Sequence, residues 1–412
     1  MRTPVLLVLA LGAGALAALD VRPIARTAES WAPTIKPTNS PARPGSAQPQ
    51  ITSDGDRAVL SWIERDGDRS TLKFAEATPA GWSEARTVAT GTNWFVNWAD
   101  VPSVIRLRDG TMAAHWLQKS APATYAYDVR LSISKDEGRT WSPSITPHHD
   151  GTPTEHGFAS LFSAPGAGLG VIWLDGRAMK PDAHENDPYA GSMTVRAAIF
   201  DGGGKQLSET SIDNRVCECC PTAVTVTSEG VIAAFRDRSA NEIRDIHVSR
   251  LDGGAWSAPA PAHHDNWKIA ACPVNGPALS ARDRDVAIAW FTAEGDRGHV
   301  LVAFSRDAGR TFGGAIGVED AGALGRVDVE LLADGGAAVS WIEFAEGRAQ
   351  FRLRRVTREG ERSASITAAG ISANRSSGYP RMARLGSTLL FAWTDTDGGT
   401  SSVRTAAARL KN

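Results

Sequence analysis

A seven-fold repetition constrains this chain more than any other feature. Beyond residue 50, an apolar run ending in an aromatic and then a polar or charged cluster recurs as VLSWIER, MAAHWLQ, GVIWLDGR, VIAAFRDRS, VAIAWFT, AAVSWIE and LLFAWTD. The aromatics are Trp62, Trp116, Trp173, Phe235, Trp290, Trp341 and Trp393, separated by 54, 57, 62, 55, 51 and 52 residues. Each copy follows a shorter strand pattern and a Gly or Asp turn, as in PSVIRLRDG before MAAHWL. Most precede a third strand such as DVRLSIS or DIHVSR. Three or four strands at a period of roughly 50 residues build one blade of a β-propeller. One blade cannot bury both faces of its sheet, so blades stack around an axis and large aromatics fill the space between them. The expected fold is all-β: a propeller over residues 50–412, seven-bladed by the count, with a six-bladed ring and one irregular unit as the alternative. The last copy leaves only three strands, so a strand from the N-terminal arm is expected to complete it.

Charge narrows the partners. The chain carries 44 basic and 46 acidic side chains, a net −2, with no basic run. Nothing there would neutralise nucleic-acid phosphates or an anionic bilayer. At the N-terminus Arg2 precedes an apolar run from Val5 to Leu19 that holds the small-x-small pattern Ala15-Leu16-Ala17. The run falls short of the about 20 residues a membrane span needs, and reads as a signal peptide over residues 1–19, with an uncleaved anchor as the alternative. Residues 20–49 carry six prolines and read as a Pro-rich linker or arm. The mature protein is therefore expected to be periplasmic or secreted, with no membrane contact beyond the signal segment.

Two octapeptides, Ser134-Lys135-Asp136-Glu137-Gly138-Arg139-Thr140-Trp141 and Ser305-Arg306-Asp307-Ala308-Gly309-Arg310-Thr311-Phe312, share one pattern, S-x-D-x-G-x-T-aromatic. They lie 171 residues apart, three periods of 57, and each follows the third strand of its copy. A hairpin explains the residue types: Asp accepts turn N–H groups, Gly takes a positive φ, and the aromatic packs underneath. A weaker relative, Leu251-Asp252-Gly253-Gly254-Ala255-Trp256, holds the same place in the fourth copy. These octapeptides resemble the Asp-boxes (BNR repeats) of the sialidase superfamily, and the repeat carries the resemblance over about residues 50–410. In that superfamily the boxes are structural and lie away from the active centre.

The resemblance implies a glycan-directed propeller. Sialidases hold the substrate carboxylate with three Arg, use an Asp as acid/base and attack with a Tyr assisted by Glu. Their Phe/Tyr-Arg-Ile-Pro motif is missing here. The nearest equivalents at first-strand entrances are Asp100, Arg326, Tyr379 and Arg381; after second strands come Asp175, Arg177, Arg236 and Arg238. A funnel rimmed by Asp100, Arg326 and Tyr379 would suit an acidic sugar, whereas the same Arg/Asp types also tie blades together as hydrogen-bonded ion pairs.

All four cysteines fall in two comparable places, Cys217, Cys219 and Cys220 in RVCECCPTA and Cys272 in AACPVNGPA. Both segments precede first strands, of copies four and five. An even count in an exported protein argues for disulfides, here Cys272 with Cys219 or Cys220. The alternative is a soft metal or redox centre, with His156 of copy three as a further ligand and Cu or Zn as the ion. His148, His149, His263 and His264 follow fourth strands and are expected on the rim. The function expected is carbohydrate binding or hydrolysis at a central pocket, of exo-glycosidase type. The alternatives are a Cys/His metal or thiol site on a propeller scaffold and a non-catalytic protein-interaction propeller.

Overall fold

Side chains two apart on a strand share a face, and this rule explains the polar residue after each aromatic. The Trp62 indole donates to Glu64 (3.0 Å), Trp173 to Asp175 (2.8 Å) and Trp341 to Glu343 (3.0 Å). In these three blades the buried indole N–H finds an acceptor two residues along its own strand, whereas Trp290 donates to Asp265 at 2.7 Å. Trp62, Trp173, Phe235, Trp290 and Trp341 are fully buried.

The computed structural model describes residues 31–166, 168–179, 191–396 and 399–410. The expected signal peptide lies outside these. The described strands form seven antiparallel sheets, the seven blades of a β-propeller. Second strands run Ala58–Asp66, Met112–Lys119, Gly168–Asp175, Gly230–Arg236, Asp285–Thr292, Ala337–Ala345 and Thr388–Asp395. Blade two has three strands, with a single bridge from Leu131 to Ile145 where a fourth would run. No helix among the described residues is long and apolar enough to cross a membrane.

The arm completes blade seven. Ile35–Thr38 pairs antiparallel with Ser402–Arg409, Ile35 opposite Ala408 and Thr38 opposite Thr405. The first strand of blade one begins at Ser46. The ring therefore takes in part of the arm and starts before residue 50. Prolines do not prevent this, because Ile35–Thr38 is the outermost strand of its sheet, where a missing N–H leaves no ladder partner unsatisfied.

Seven apolar clusters fill the junctions between neighbouring blades. One joins Val231 and Phe235 of blade four to Phe162 and Val195 of blade three. Another joins Leu60 and Trp62 of blade one to Ala383 and Leu390 of blade seven, and so closes the ring.

The Asp-boxes form the expected hairpins. Asp136 accepts Thr140 N–H (2.9 Å) and Thr140 O–H (2.7 Å), and Asp307 accepts the same pair from Thr311. Ser134 and Ser305 hydroxyls accept Gly138 and Gly309 N–H. Both glycines have positive φ, and a Cβ would collide with Phe74 at Gly138 and with Ile232 at Gly309. Those partners belong to the preceding blade. Trp141 likewise meets Phe74 edge-on at 6.0 Å, and Trp256 meets Phe162 at 6.3 Å. The box is a turn that docks one blade on its neighbour.

Candidate functional site

First strands of all seven blades line a central channel of about 170 Å³, with Gln50, Ser103, Ser160, Ala223, Ala278, Asp328 and Arg381 each facing it from a different blade. At one mouth the entering backbone is irregular. Gln48, Phe158, Val274 and Arg326 adopt positive φ without being glycine. At Gln48, Phe158 and Arg326 the strand register also shifts. A bulge inserts one residue and re-aims its neighbours, and such positions gather where side chains are placed for use.

The mouth has an aromatic and cationic face. Trp98 is half-buried, with the guanidinium of Arg326 4.9 Å and that of Arg375 5.9 Å from its ring centroid. Tyr379 stacks on Trp98, ring centroids 6.1 Å apart. Exposed Tyr125 stands within electrostatic reach of Glu155, Cys219, Cys272 and Arg375, so the entrances of blades three, four, five and seven converge there. Arg375 is exposed and has no ion pair with a described residue.

Beneath the mouth lies a buried chain of three acidic groups. The Tyr127 hydroxyl is 2.6 Å from Glu155 and 3.0 Å from Asp100, whose other oxygen accepts Phe158 N–H at 2.8 Å. Burial raises the pKa of Asp100 to about 7, with the Glu155 charge adding to the rise against the hydrogen bonds from Phe158 and Tyr127. Burial and both carboxylates push Tyr127 well above the usual phenol range. Asp100 was legible in the sequence; Tyr127 and Glu155 were not.

The BNR repeat-like domain family matches residues 62–391. The chain belongs to that family. Among solved structures it is similar to the polysaccharide lyase Uly1, at 10% identity and a TM-score of 0.52, over 91% of each chain. It is also similar to a neuraminidase-like protein of subtype N10 from A/little yellow-shouldered bat/Guatemala, at 11% identity and a TM-score of 0.47, over 93% of this chain and 98% of that one. The chain matches none of the curated proteins.

In this BNR propeller most of the arginines expected at the site hold the scaffold. Arg236 donates to the carbonyls of Asn275, Arg244 and Phe291. Arg238 pairs with Glu218 and Glu242. Arg177 is held by Asp175 and Glu209. Asp175 is itself filled by Trp173 and Arg177. Arg326 donates to Ser377 Oγ (2.7 Å) and Gly378 O (2.9 Å), and Tyr379 to Val274 O (2.6 Å). Both stand at the mouth as placed, but their polar atoms position loops. Arg381 lies over the Tyr379 ring at 5.1 Å, on the channel wall.

The cysteines and His156 part company. No S–S bond joins any of the four cysteines in this structure. Cys217 Sγ lies 3.5 Å from Cys220 Sγ and 3.9 Å from Cys219 Sγ, and exposed Cys272 reaches Cys219. Burial opposes ionisation of Cys217, yet hydrogen bonds from Cys219 and Cys220 and the Arg244 guanidinium hold its pKa well below the usual thiol range. His156 instead stacks on His148 at 3.8 Å, among Asp128, Asp150 and Asp175. His148 is thus buried beside it and not on the rim: its ring packs inward on His156, with Asp150 of the same loop at 3.2 Å. Burial, and then the charge of His156, lower the pKa of His148 to about 4.

Proposed function

We propose that this BNR propeller recognises an acidic carbohydrate at the channel mouth formed by Trp98, Tyr125 and Arg375. The observation that carries the reading is the Trp98 face with Arg375 beside it. A pyranose lays its apolar face on an aromatic ring, and a guanidinium with no carboxylate partner among the described residues offers a bidentate site for a sugar carboxylate. Arg326, 4.9 Å from the Trp98 centroid, is itself held in place, since its own donors are committed to Ser377 and Gly378. In the channel wall below, burial raises the pKa of Asp100, hydrogen-bonded to Tyr127, to about 7. The fold shared with a protein named as a polysaccharide lyase is in keeping with this ligand class.

Calorimetric titration with sialyllactose, an oligogalacturonate and neutral lactose tests the reading. At least one acidic oligosaccharide should bind, more weakly as salt rises, and lactose should not. Equal binding of lactose, or no heat from either acidic probe, would overturn it.

A further inference from the structure

Three cysteine sulfurs are gathered at the entrance of blade four with no oxygen or nitrogen ligand among them. The sulfurs of Cys217, Cys219 and Cys220 all lie within 4.8 Å of one another. Glu218, the residue between them, is turned away: its carboxylate pairs with Arg238 and, at 3.0 Å, with Arg244. Two sulfurs receive N–H donors, Cys217 from Arg244 Nη1 at 3.1 Å and Cys220 from the amide of Asn275 at 3.4 Å. Donors of this kind orient and stabilise metal-bound thiolates from the second layer of a site. Cys217 and Cys220 are buried and Cys219 is half-buried, so a bound ion would be shielded on all sides but one. Exposed Cys272, from the blade-five entrance, lies near Cys219.

We propose that Cys217, Cys219 and Cys220 form a three-sulfur site for Cu(I), and that Cys272 is the thiol through which the ion enters. Thiolate-only donors select soft ions. Structural Zn(II) takes four ligands in a closed tetrahedron. Here the compact set has three, with Cys272 outside it. Three sulfurs bound at about 2.3 Å around one ion in a plane would stand about 4 Å apart, close to the 3.5 and 3.9 Å observed before any adjustment. Entry is a ligand exchange. Cys272 binds the incoming Cu(I) as its carrier's bond breaks, Cys219 then displaces Cys272, and the thiol protons replaced by the metal leave to solvent.

The test is an anaerobic titration of the reduced full chain with Cu(I) supplied as its bathocuproine disulfonate complex. One Cu(I) per chain should be withdrawn, with an X-ray absorption shell of three sulfurs. Because Cys217 is buried against Arg244, Cys219→Ser at the half-buried edge is the variant that separates lost binding from lost folding. It should weaken Cu(I) affinity at least tenfold with its melting temperature little changed. Cys272→Ser should keep the stoichiometry and slow uptake. No copper bound, equal binding by Cys219→Ser, a four-sulfur Zn(II) site that needs Cys272, or a Cys217–Cys220 disulfide in place of metal would each overturn the proposal. The glycan titration is read separately, so either reading can fail without the other.

Discussion

The hairpin rim and the channel mouth use polar residues in opposite ways. At the rim, Asp136 and Asp307 stay exposed or half-exposed, and hydrogen bonds within their own turns lower their pKa values to about 2. At the mouth, Asp100 is buried, and the loss of water raises its pKa to about 7. The rim repeats one local solution from blade to blade. At the mouth the bulge recurs at Gln48, Phe158 and Arg326, but the residues it carries and their partners differ. The difference teaches where function resides in a repeat fold. Regular positions serve the stacking of blades, and the departures from regularity gather at the channel mouth.

The comparison can be broken at several points. The largest effect belongs to neither region: Trp341→Ala removes a fully buried indole and leaves Glu343 without its donor, and should cost about 3–5 kcal/mol in denaturant unfolding. A smaller loss would mean that the blade junctions are not the main source of stability.

The rim comes next. Asp307→Ala removes the acceptor for Thr311 N–H and O–H and should cost about 1–2 kcal/mol while leaving glycan affinity unchanged. Loss of affinity with unchanged melting would place the box in the wrong region.

The two regions should also respond to pH in opposite directions. Asp100 holds its proton more tightly folded than unfolded, so its contribution is complete below about pH 4 and is lost as pH rises through about 7. Asp307 is the reverse: its contribution is present above about pH 4 and is lost as pH falls toward 2. Asp100→Asn, which mimics the protonated carboxyl, should therefore lose less stability than wild type between pH 4 and 7. Identical slopes in that window would show that Asp100 is ionised throughout.

Much of this architecture was legible in the sequence because it rests on short-range rules. The spacing of Trp62 through Trp393 encodes the blades, and the Ser-Asp-Gly-Thr turns encode their docking. The strand from the arm followed from an incomplete last copy, although its extent from Ile35 was hidden by prolines tolerated on an outer edge. The mouth was less legible. Positive φ at Phe158, Val274 and Arg326 leaves no glycine to mark it. Tyr127 reads as a core residue of a third strand, and its stacking on Phe95 at 4.0 Å agrees with that. Asp100 and Glu155 meet its hydroxyl from positions 27 and 28 residues away in sequence. His156 occupies the register of the cysteines, yet Asp150 and Asp175 draw it to a different cluster. Sequence register identifies an entrance; the local backbone decides which way the side chain turns.

The most direct test of the central claim sets one residue of each region against the other in the same glycan titration. Arg375→Ala changes an exposed side chain and should alter stability by less than about 0.5 kcal/mol. With the acidic oligosaccharide that binds the wild type best, Arg375→Ala should weaken affinity at least tenfold, while Asp307→Ala, measured well below its melting temperature, should bind as wild type does. Unchanged binding in Arg375→Ala together with weakened binding in Asp307→Ala would contradict the account and move the ligand from the mouth to the rim.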